Sequence, residues 1–340
     1  MKRLWLTALA ALAVLACVGG SASASLVLNE PSAAATCIPT GLMRDGINLT
    51  TAVYNPQRTV TGSVDATGCN IGVYYAPSSH GRVLNANVFG ANYFGVVNNG
   101  GDVTVRSSQI HDIGENPLNG AQHGIAVAFV RDSGQPSTGA VSQNGITNYQ
   151  KGGIVFSGPN TSGKITGNDV FGEGPVSYIA QNGIQVSAGA HADVKNNTVN
   201  GNSYTGGGGT SAAGILIFGG CGQEVVTGTL VKGNSLDGND VGIWAFNGDP
   251  ACVNASPTPT NIDIERNHVS NNAVNNTSGW APGQGYQAGI ADFGNHDSII
   301  KNTVCGAGYT PAPGPNHLFY IDTTGAIAPM VAGNSTSATC

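Results

Sequence analysis

The chain has 340 residues, of which only 9% are charged and 51 are glycine, and its formal net charge is −6. So little charge excludes a coiled coil, which needs Glu and Lys beside its apolar seam, and 40% hydrophobic content excludes a disordered polar chain. No basic cluster follows residue 3, which argues against nucleic-acid binding through phosphate neutralisation. Abundant Gly, Asn, Thr, Val and Ile favour short strands joined by many turns.

The N-terminus has the three parts of a secretory signal. Lys2 and Arg3 precede an almost entirely apolar run over residues 4–18, and small residues follow at 21–24. This pattern predicts a signal peptide over residues 1–24 and a secreted protein. The apolar run is short for a bilayer, so we expect no membrane span. The alternative is a lipoprotein anchor at Cys17, because the residues before it resemble a lipoprotein cleavage box.

The main feature of the chain is an internal repeat. A glycine followed by an aliphatic residue recurs, mostly at steps of 23 to 31 residues. These pairs are Gly72-Val73, Gly95-Val96, Gly124-Ile125, Gly153-Ile154, Gly183-Ile184, Gly214-Ile215, Gly242-Ile243 and Gly289-Ile290. Between them an aliphatic residue precedes an asparagine by three positions. The asparagines are Asn144, Asn168, Asn197, Asn234, Asn267, Asn302 and Asn334, while earlier copies carry Ala86 and Ser108.

Each repeat is therefore expected to hold three short strands: one after the glycine, one before the asparagine and one after it. The strands are too closely spaced for helical crossovers, and a flat antiparallel sandwich would not demand asparagine at every third turn. The sequence predicts an all-β fold, a single-stranded right-handed parallel β-helix of about nine coils with an internal Asn ladder. Residues 25–70 are expected to form an N-terminal cap and residues 71–340 the β-helix.

Removing residues 1–24 leaves six cysteines, a number that allows fifteen disulfide connectivities. Neighbouring cysteines are separated by about one coil, which would place both partners at similar positions on adjacent coils. That distance suits a disulfide, whose Cα atoms lie about 4.4–6.8 Å apart. We therefore expect the pairs Cys37–Cys69, Cys221–Cys252 and Cys305–Cys340.

Residues from about 70 to 336 resemble the β-helix repeats of the pectin-lyase-like superfamily in these Gly-Ile strands and this Asn ladder. The resemblance is specific for the fold and does not fix the chemistry. The superfamily contains polysaccharide lyases, glycoside hydrolases, sugar epimerases, esterases, tailspikes and surface proteins that are not enzymes. It implies a glycan groove on the outer face of the strand that follows the long loops, which here is the Gly-Ile strand.

Alternation of side chains predicts which residues line this groove, at two positions before and two positions after each glycine. We expect Gln122, Gln181, Gln185 and Trp244 to bind substrate, with the indole stacking on a sugar ring. Trp244 could instead pack under the loop over residues 247–261. Candidate catalytic residues are Lys151, His123 and Asp240. Lys151 would serve as the base of a lyase if the groove lowered its pKa, and is otherwise a solvated lysine.

Two other segments carry chemistry-bearing side chains. The loop over residues 111–123 contains His111, Asp112, Glu115 and His123, which could form a metal site or an acid–base pair, or could simply be solvated. Residues 237–240 could offer oxygens to calcium but lack the spacing of a calcium loop, so no metal or cofactor is expected. Asp292 falls on an inward row with Val127, Phe156, Val186 and Ile217, where it would mark a polar end of the helix.

Two classes of function remain. The first is a secreted enzyme, a polysaccharide lyase or a glycoside hydrolase; the second is a non-catalytic extracellular protein that binds glycans or serves as structure. Hydrolysis needs converging carboxyl groups, and Asp240 is the only one on the predicted face. The mature chain would carry 11 basic and 19 acidic residues, which disfavours a polyanionic substrate unless calcium bridges it. We expect the partner to be an extracellular polysaccharide.

Overall fold

The computed structural model describes residues 36–340, so the predicted signal peptide and Cys17 lie outside the described residues. Apart from one 3-10 helix at Ala307–Tyr309, the regular structure within 36–340 is all strand. The first sheet has eleven strands, and only its first two pair antiparallel. In spatial order they are Ile38–Arg44, Ile47–Tyr54, Ile71–Tyr75, Phe94–Asn99, Ile125–Val130, Gly152–Ser157, Asn182–Ser187, Ala213–Gly219, Val241–Asn247, Tyr286–Phe293 and His317–Asp322.

The other two strands of each coil form two further parallel ladders. Val60–Asp65 and the long strand His80–Phe89 begin both of them. The second ladder continues through Asp102–Arg106, Ser137–Ser142, Thr161–Thr166, His191–Lys195, Leu230–Lys232, Asp263–Glu265, Ser298–Ile300 and Met330–Ala332. The third ladder continues through Gln109–His111, Gly145–Ile146, Asp169–Val176, Thr198–Tyr204, Ser235–Asp237, His268–Ser270, Thr303–Cys305 and Ser335–Ser337. The result is the expected parallel β-helix, with nine strands of the first sheet inside residues 71–340.

The core runs along the axis between the three ladders. Aliphatic residues after the glycines stack in register, with Ile184 between Ile154 and Ile215. They meet the aliphatic residues on either side of each asparagine, such as Ile165 and Val170, and all five side chains are buried. Each coil therefore buries apolar surface only by stacking on its neighbours, as expected for a solenoid.

The predicted Asn ladder runs from Asn144 to Asn334. In the middle of it, Asn197 donates from both its backbone N and its Nδ2 to Asn234 Oδ1, at 2.9 and 3.0 Å. Its Nδ2 also donates to Ile165 O of the preceding coil at 3.0 Å. Ser108, which replaces the asparagine in an earlier coil, donates its backbone N to Asn144 Oδ1. The ladder thus supplies partners to backbone groups that the tight turns would otherwise bury unpaired.

Three disulfides join the cysteines that the coil spacing predicted. Their Cα atoms are 5.4 Å apart in Cys37–Cys69, 4.5 Å in Cys221–Cys252 and 5.3 Å in Cys305–Cys340. Each bridge connects adjacent coils, and the first and last lie at opposite ends of the helix.

The N-terminal segment combines a cap with the first coil. Ile47–Tyr54 pairs in parallel with Ile71–Tyr75, so the first sheet already begins within the segment predicted to be a cap. The turn after Ile38–Arg44 folds back over the outer face of the early coils. Arg44 Nη2 contacts Asp132 Oδ2 at 2.5 Å, and the hydroxyl of Tyr93 donates to Asp45 Oδ2 at 3.2 Å. No helix in residues 36–340 is long and apolar enough to cross a membrane.

The predicted register is wrong by two residues in one coil. Gly124 was aligned with Gly153, but Ile154 pairs with Val127 and Phe156 with Phe129. Ala126 therefore occupies the place of the repeat glycine, and Phe129 rather than Val127 shares the inward row of Phe156. Gly124 lies in the turn before the strand with φ of 84°, a conformation that favours glycine.

The predicted alternation also breaks at the glycine. Gly152 pairs with Asn182 and Ile154 with Ile184, whereas the glycine between them is skipped. A Cβ atom added to Gly152 would face Val155 on the outer side, but one added to Gly153 would meet Val170 across the core. The outward position is therefore the one directly before the glycine, and residues two before it lie beneath the incoming loops.

Candidate functional site

The open part of the first sheet's outer face begins at Gly152–Ser157. Over the earlier coils the hairpin turn covers this face, where Leu42 packs with Val97, Ala128 and Val130 in a second buried cluster. From Gly152–Ser157 to His317–Asp322, the outer face carries first polar and then aromatic side chains. We take these two neighbouring surfaces as the candidate site.

The polar strip consists of Ser157, Asn182, Gln185 and Ser187, of which Ser157 and Gln185 are half-buried while Asn182 and Ser187 are buried beneath them. Gln185 is half-buried; its Oε1 accepts from Asn182 Nδ2 at 3.1 Å and its Nε2 donates to Ser187 Oγ at 3.0 Å. Ser187 Oγ in turn donates to Ser157 Oγ at 3.2 Å. These bonds hold the amide in place but leave it one N–H and one lone pair for a ligand.

The aromatic face consists of five half-buried rings. They are Trp244, Trp280, Phe293, His317 and Phe319. Buried aromatic residues support them from below, chiefly Phe246 and Tyr286. Leu216 alone separates Trp244 from Gln185 in the register, so the polar strip and the aromatic face are about 10 Å apart, or two strand spacings.

Ring orientation distinguishes Trp244 from the phenylalanines beside it. Phe218, Phe246 and Phe293 stack along the axis with centroids 5.6 and 4.9 Å apart and interplanar angles of 13° and 17°, so they present ring edges outward. Trp244 stands at 88° to Phe246. The indole plane is therefore turned relative to the stack of phenylalanine rings.

Two of the predicted groove residues lie on this site and a third lies beside it. Gln185 belongs to the polar strip and Trp244 to the aromatic face, and both are half-buried. Gln122 is exposed, but it lies in the loop before Ile125–Val130 and its Nε2 donates to Gly120 O.

Gln181 and Asp240 are not on the outer face, contrary to the prediction. Both are fully buried under loops that enter the first sheet. Gln181 Oε1 accepts from Glu173 N, and its Nε2 donates to Tyr149 O at 2.6 Å. Asp240 Oδ2 accepts from the backbone N of Tyr204 and of Ala212, at 2.9 and 3.0 Å. These side chains hold the loops, and burial raises the pKa of Asp240 to about 6.

Lys151 lies at the edge of the polar strip, half-buried, where its Nζ donates to Ala180 O at 2.7 Å. Burial lowers the pKa of its ammonium group to about 8. The cause is the loss of hydration, which penalises the charged form. A fraction of neutral amine near pH 8 is what the hypothesis of a lysine base required.

The loop over residues 111–123 contains two separate histidine–acid pairs. His123 Nε2 lies 2.7 Å from Glu115 Oε1, and its ring stacks on Tyr93 at a centroid distance of 3.8 Å. His111 Nδ1 lies 2.6 Å from Asp112 Oδ2. No group of three or more His, Cys, Asp or Glu residues that could hold a metal ion occurs among residues 36–340. His123 is thus an oriented imidazole outside the polar strip and the aromatic face.

Asp292 is buried on the inward row, where it pairs with Ala245 and shares a hydrogen bond with the carboxyl group of Asp297. Burial, and then the neighbouring charge of Asp297, raise the pKa of Asp292 to about 8. Each residue has one carboxyl oxygen, Oδ2, without another partner. A single proton shared between the two carboxyl groups would satisfy both oxygens.

A family model described as right handed beta helix region matches residues 59–256. The chain belongs to this right handed beta helix family. A similar solved structure is titled "Crystal structure of Dettilon tailspike protein (gp208)", with a TM-score of 0.50 and 17% sequence identity. The match covers 83% of this chain and 55% of that chain. No curated protein gives a significant match. For this member of the right handed beta helix family, the likeness concerns the fold alone.

Sequence reasoning missed most of the aromatic face. Phe218, Phe246 and Phe293 recur four positions after Gly214, Gly242 and Gly289 in the sequence, so their row could have been found. Ser157 and Ser187 occupy the same position four residues after Gly153 and Gly183, and mark the polar strip. Trp280 carried no such signal, because it comes from a loop rather than from a repeat position.

Proposed function

We propose that this protein is a secreted glycan-binding protein that holds a polysaccharide on the outer face of its first sheet. The observation that carries the proposal is the half-buried aromatic face lying beside the polar strip on one rigid sheet. Sugars have apolar C–H faces that stack on aromatic rings and hydroxyl groups that bond to amides and hydroxyls. The three disulfides suit an oxidising compartment, which supports secretion.

Binding fits this face better than hydrolysis does. A glycoside hydrolase needs two carboxyl groups flanking the scissile bond. Asp322 lies in register with Ala291 of the neighbouring strand, so its carboxyl group belongs to this face. It is 7% exposed and accepts bonds from Tyr286 Oη at 2.8 Å and from Thr324 N at 2.9 Å. Because it is already paired, it offers no second carboxyl partner for acid–base chemistry.

The test is binding of purified protein to a panel of polysaccharides by affinity electrophoresis, followed by calorimetry with oligosaccharides of any polymer that binds. Trp244→Ala should weaken binding by about 1–3 kcal/mol, the scale of uncovering one aromatic face. The matched control is Phe171→Ala, which removes an exposed aromatic ring from the third ladder. Equal affinity of wild type and Trp244→Ala for every bound polymer would rule out this face.

Cleavage by β-elimination is a second candidate, favoured by the lowered pKa of Lys151. The neutral amine would take the proton beside a uronate carboxyl group; the C–H electrons would form a C=C bond, and the glycosidic oxygen would leave and take up a proton from water. The test is absorbance of unsaturated sugar products from uronate polymers. Loss of that product in Lys151→Ala would support the lysine base, and absence of product from wild type would exclude it.

A further inference from the structure

Charge is segregated around the helix axis. From residue 152 on, the chain has five basic side chains. All five lie on the second ladder or in the turn directly after one of its strands: Lys164, Lys195, Lys232, Arg266 and Lys301. None belongs to a strand of the first sheet or to a loop that enters or leaves it. The basic groups therefore occupy the side of the helix away from the aromatic face.

Several of these cations are also engaged already. Lys195 Nζ lies 2.8 Å from Asp193 Oδ2, and Lys232 Nζ lies 2.5 Å from Glu265 Oε1. The second carboxyl oxygen of Glu265 lies 3.2 Å from Arg266 Nη1. The second ladder is thus a solvated, mixed-charge surface, and it offers no row of free cations to a polyanion.

The polar strip of the candidate site carries only uncharged amide and hydroxyl groups. The polar strip contributes amides and hydroxyls, and the aromatic face contributes rings, among which the imidazole of His317 stacks on Trp280 at 4.3 Å. The carboxyl group of Asp322 lies under the same face. Recognition of uronate or sulfate groups relies on arginine or lysine, whose charge compensates the cost of removing an anion from water. The lysine at the edge of the polar strip, Lys151, already donates its Nζ to Ala180 O. An acidic sugar placed over Gln185 and the aromatic face would meet the carboxyl group of Asp322 and no cation from the strands between Asn182–Ser187 and His317–Asp322.

We infer that the glycan bound by the outer face of the first sheet is a neutral polysaccharide, without uronate or sulfate groups. This inference rests on the proposed function, because it assigns the ligand of the same site. It follows from the chemistry of Gln185 and the aromatic face, and from the absence of Lys and Arg from this face between Asn182–Ser187 and His317–Asp322. It also separates binding from the lyase candidate, since β-elimination requires a uronate.

The test compares galactomannan and dextran with polygalacturonate and alginate in affinity electrophoresis, at physiological and at high salt. We expect retardation by at least one of the two neutral polymers, little change with salt and about tenfold weaker binding in Trp244→Ala. Retardation by an acidic polymer alone, lost in Trp244→Ala, would overturn the neutral assignment and keep the proposed function. Binding that Trp244→Ala leaves unchanged, or no binding to any polymer, would overturn both.

A charge introduced into the polar strip sharpens the comparison. Gln185→Lys places a cation on the face, and should create salt-sensitive retardation by polygalacturonate. Ser63→Lys places the same charge on an exposed position of Val60–Asp65, away from the face, as the matched control. Equal gains in both variants would show that acidic polymers bind by net charge alone and would contradict the assignment of specificity to this face.

Discussion

At the scale of single residues, two glutamines that lie four positions apart have different roles. Gln181 is fully buried and bonds to loop backbone, whereas Gln185 is half-buried on the outer face. The difference arises because the repeat glycine interrupts the alternation between them. Polarity and spacing alone therefore could not assign their roles, and the same holds for Asp240.

We expect substitutions of Gln185 and Gln181 to separate glycan affinity from the stability of the fold. Gln185→Ala should weaken glycan binding by about 1 kcal/mol through loss of a hydrogen bond, and should lower the free energy of unfolding less than Gln181→Ala does, because Gln185 is only half-buried. Gln181→Ala should lower the free energy of unfolding by about 1–3 kcal/mol, because Glu173 N and Tyr149 O lose a buried partner. Calorimetric binding and urea unfolding of both variants check this, and the reverse assignment of effects would contradict it.

The buried pair of Asp292 and Asp297 should make stability depend on pH. The pKa of Asp292 is raised from 3.8 to about 8, so its contribution is fully present below about pH 4 and is lost as the pH rises through about 8. Asp240, whose pKa is raised to about 6, loses its contribution to the free energy of unfolding at a lower pH. We expect the free energy of unfolding to fall between pH 5 and pH 9.

Asp292→Asn tests this dependence, since the amide can donate to Asp297 without ionising. The variant should match wild type within about 1 kcal/mol at pH 5 and exceed its stability by about 2 kcal/mol or more at pH 9. Lys151, whose lowered pKa acts in the opposite direction above about pH 8, is common to both proteins and cancels. Parallel pH profiles of the two proteins would show that the carboxyl pair carries no shared proton.

At the scale of the elements, the sequence predicted the three strands of each coil and the turn between the second and third. The asparagine at this turn was predictable because its buried amide needs partners, and the equivalent asparagines of neighbouring coils provide them. The coil of Ile125–Val130 was misaligned for a definite reason. Ala126 replaces the repeat glycine there, and Gly124 two residues earlier supplied a false anchor. The aromatic face was harder to predict, since one of its rings comes from a loop.

Replacement of a central ladder residue should be costly. Asn234→Ala removes the acceptor of Asn197 N and Nδ2, and also the donor to Val194 O, all in a buried turn. We expect the free energy of unfolding to fall by about 3 kcal/mol. Asn334→Ala at the last coil is the matched control and should cost less, because Asn334 is only half-buried. Equal midpoints for wild type and Asn234→Ala in urea would refute the role of the ladder.

At the scale of the whole molecule, the Asn ladder, the basic residues from residue 152 on and the aromatic face lie on different sides of the solenoid. The Asn ladder and the core fix the coils, the basic residues from residue 152 on lie on or directly after the second ladder, and the aromatic face lies on the first sheet. A polysaccharide along the axis would cross strands spaced about 4.8 Å apart and could contact several coils at once. The composition, with its low overall charge, did not predict that the basic residues and the aromatic face lie on different sides.

The disulfides close loops of about one coil and should stabilise the helix mainly by restricting the unfolded chain. For Cys305–Cys340, with a sequence separation of 35, a chain-entropy account gives about 3–4 kcal/mol. Replacing both cysteines by serine should lower the free energy of unfolding by that amount in urea unfolding under non-reducing conditions. An unchanged midpoint would mean that the terminal coil is held by packing alone.

The central claim is that the outer face of the first sheet binds a glycan, and the most direct measurement is a crystal structure of the protein with an oligosaccharide of the polymer that binds. The account predicts a sugar ring stacked on Trp244, with a hydroxyl group bonded to Gln185 across the strand that carries Leu216. A sugar seated on the second or third ladder, or against His123 and Glu115 with the aromatic face empty, would contradict it.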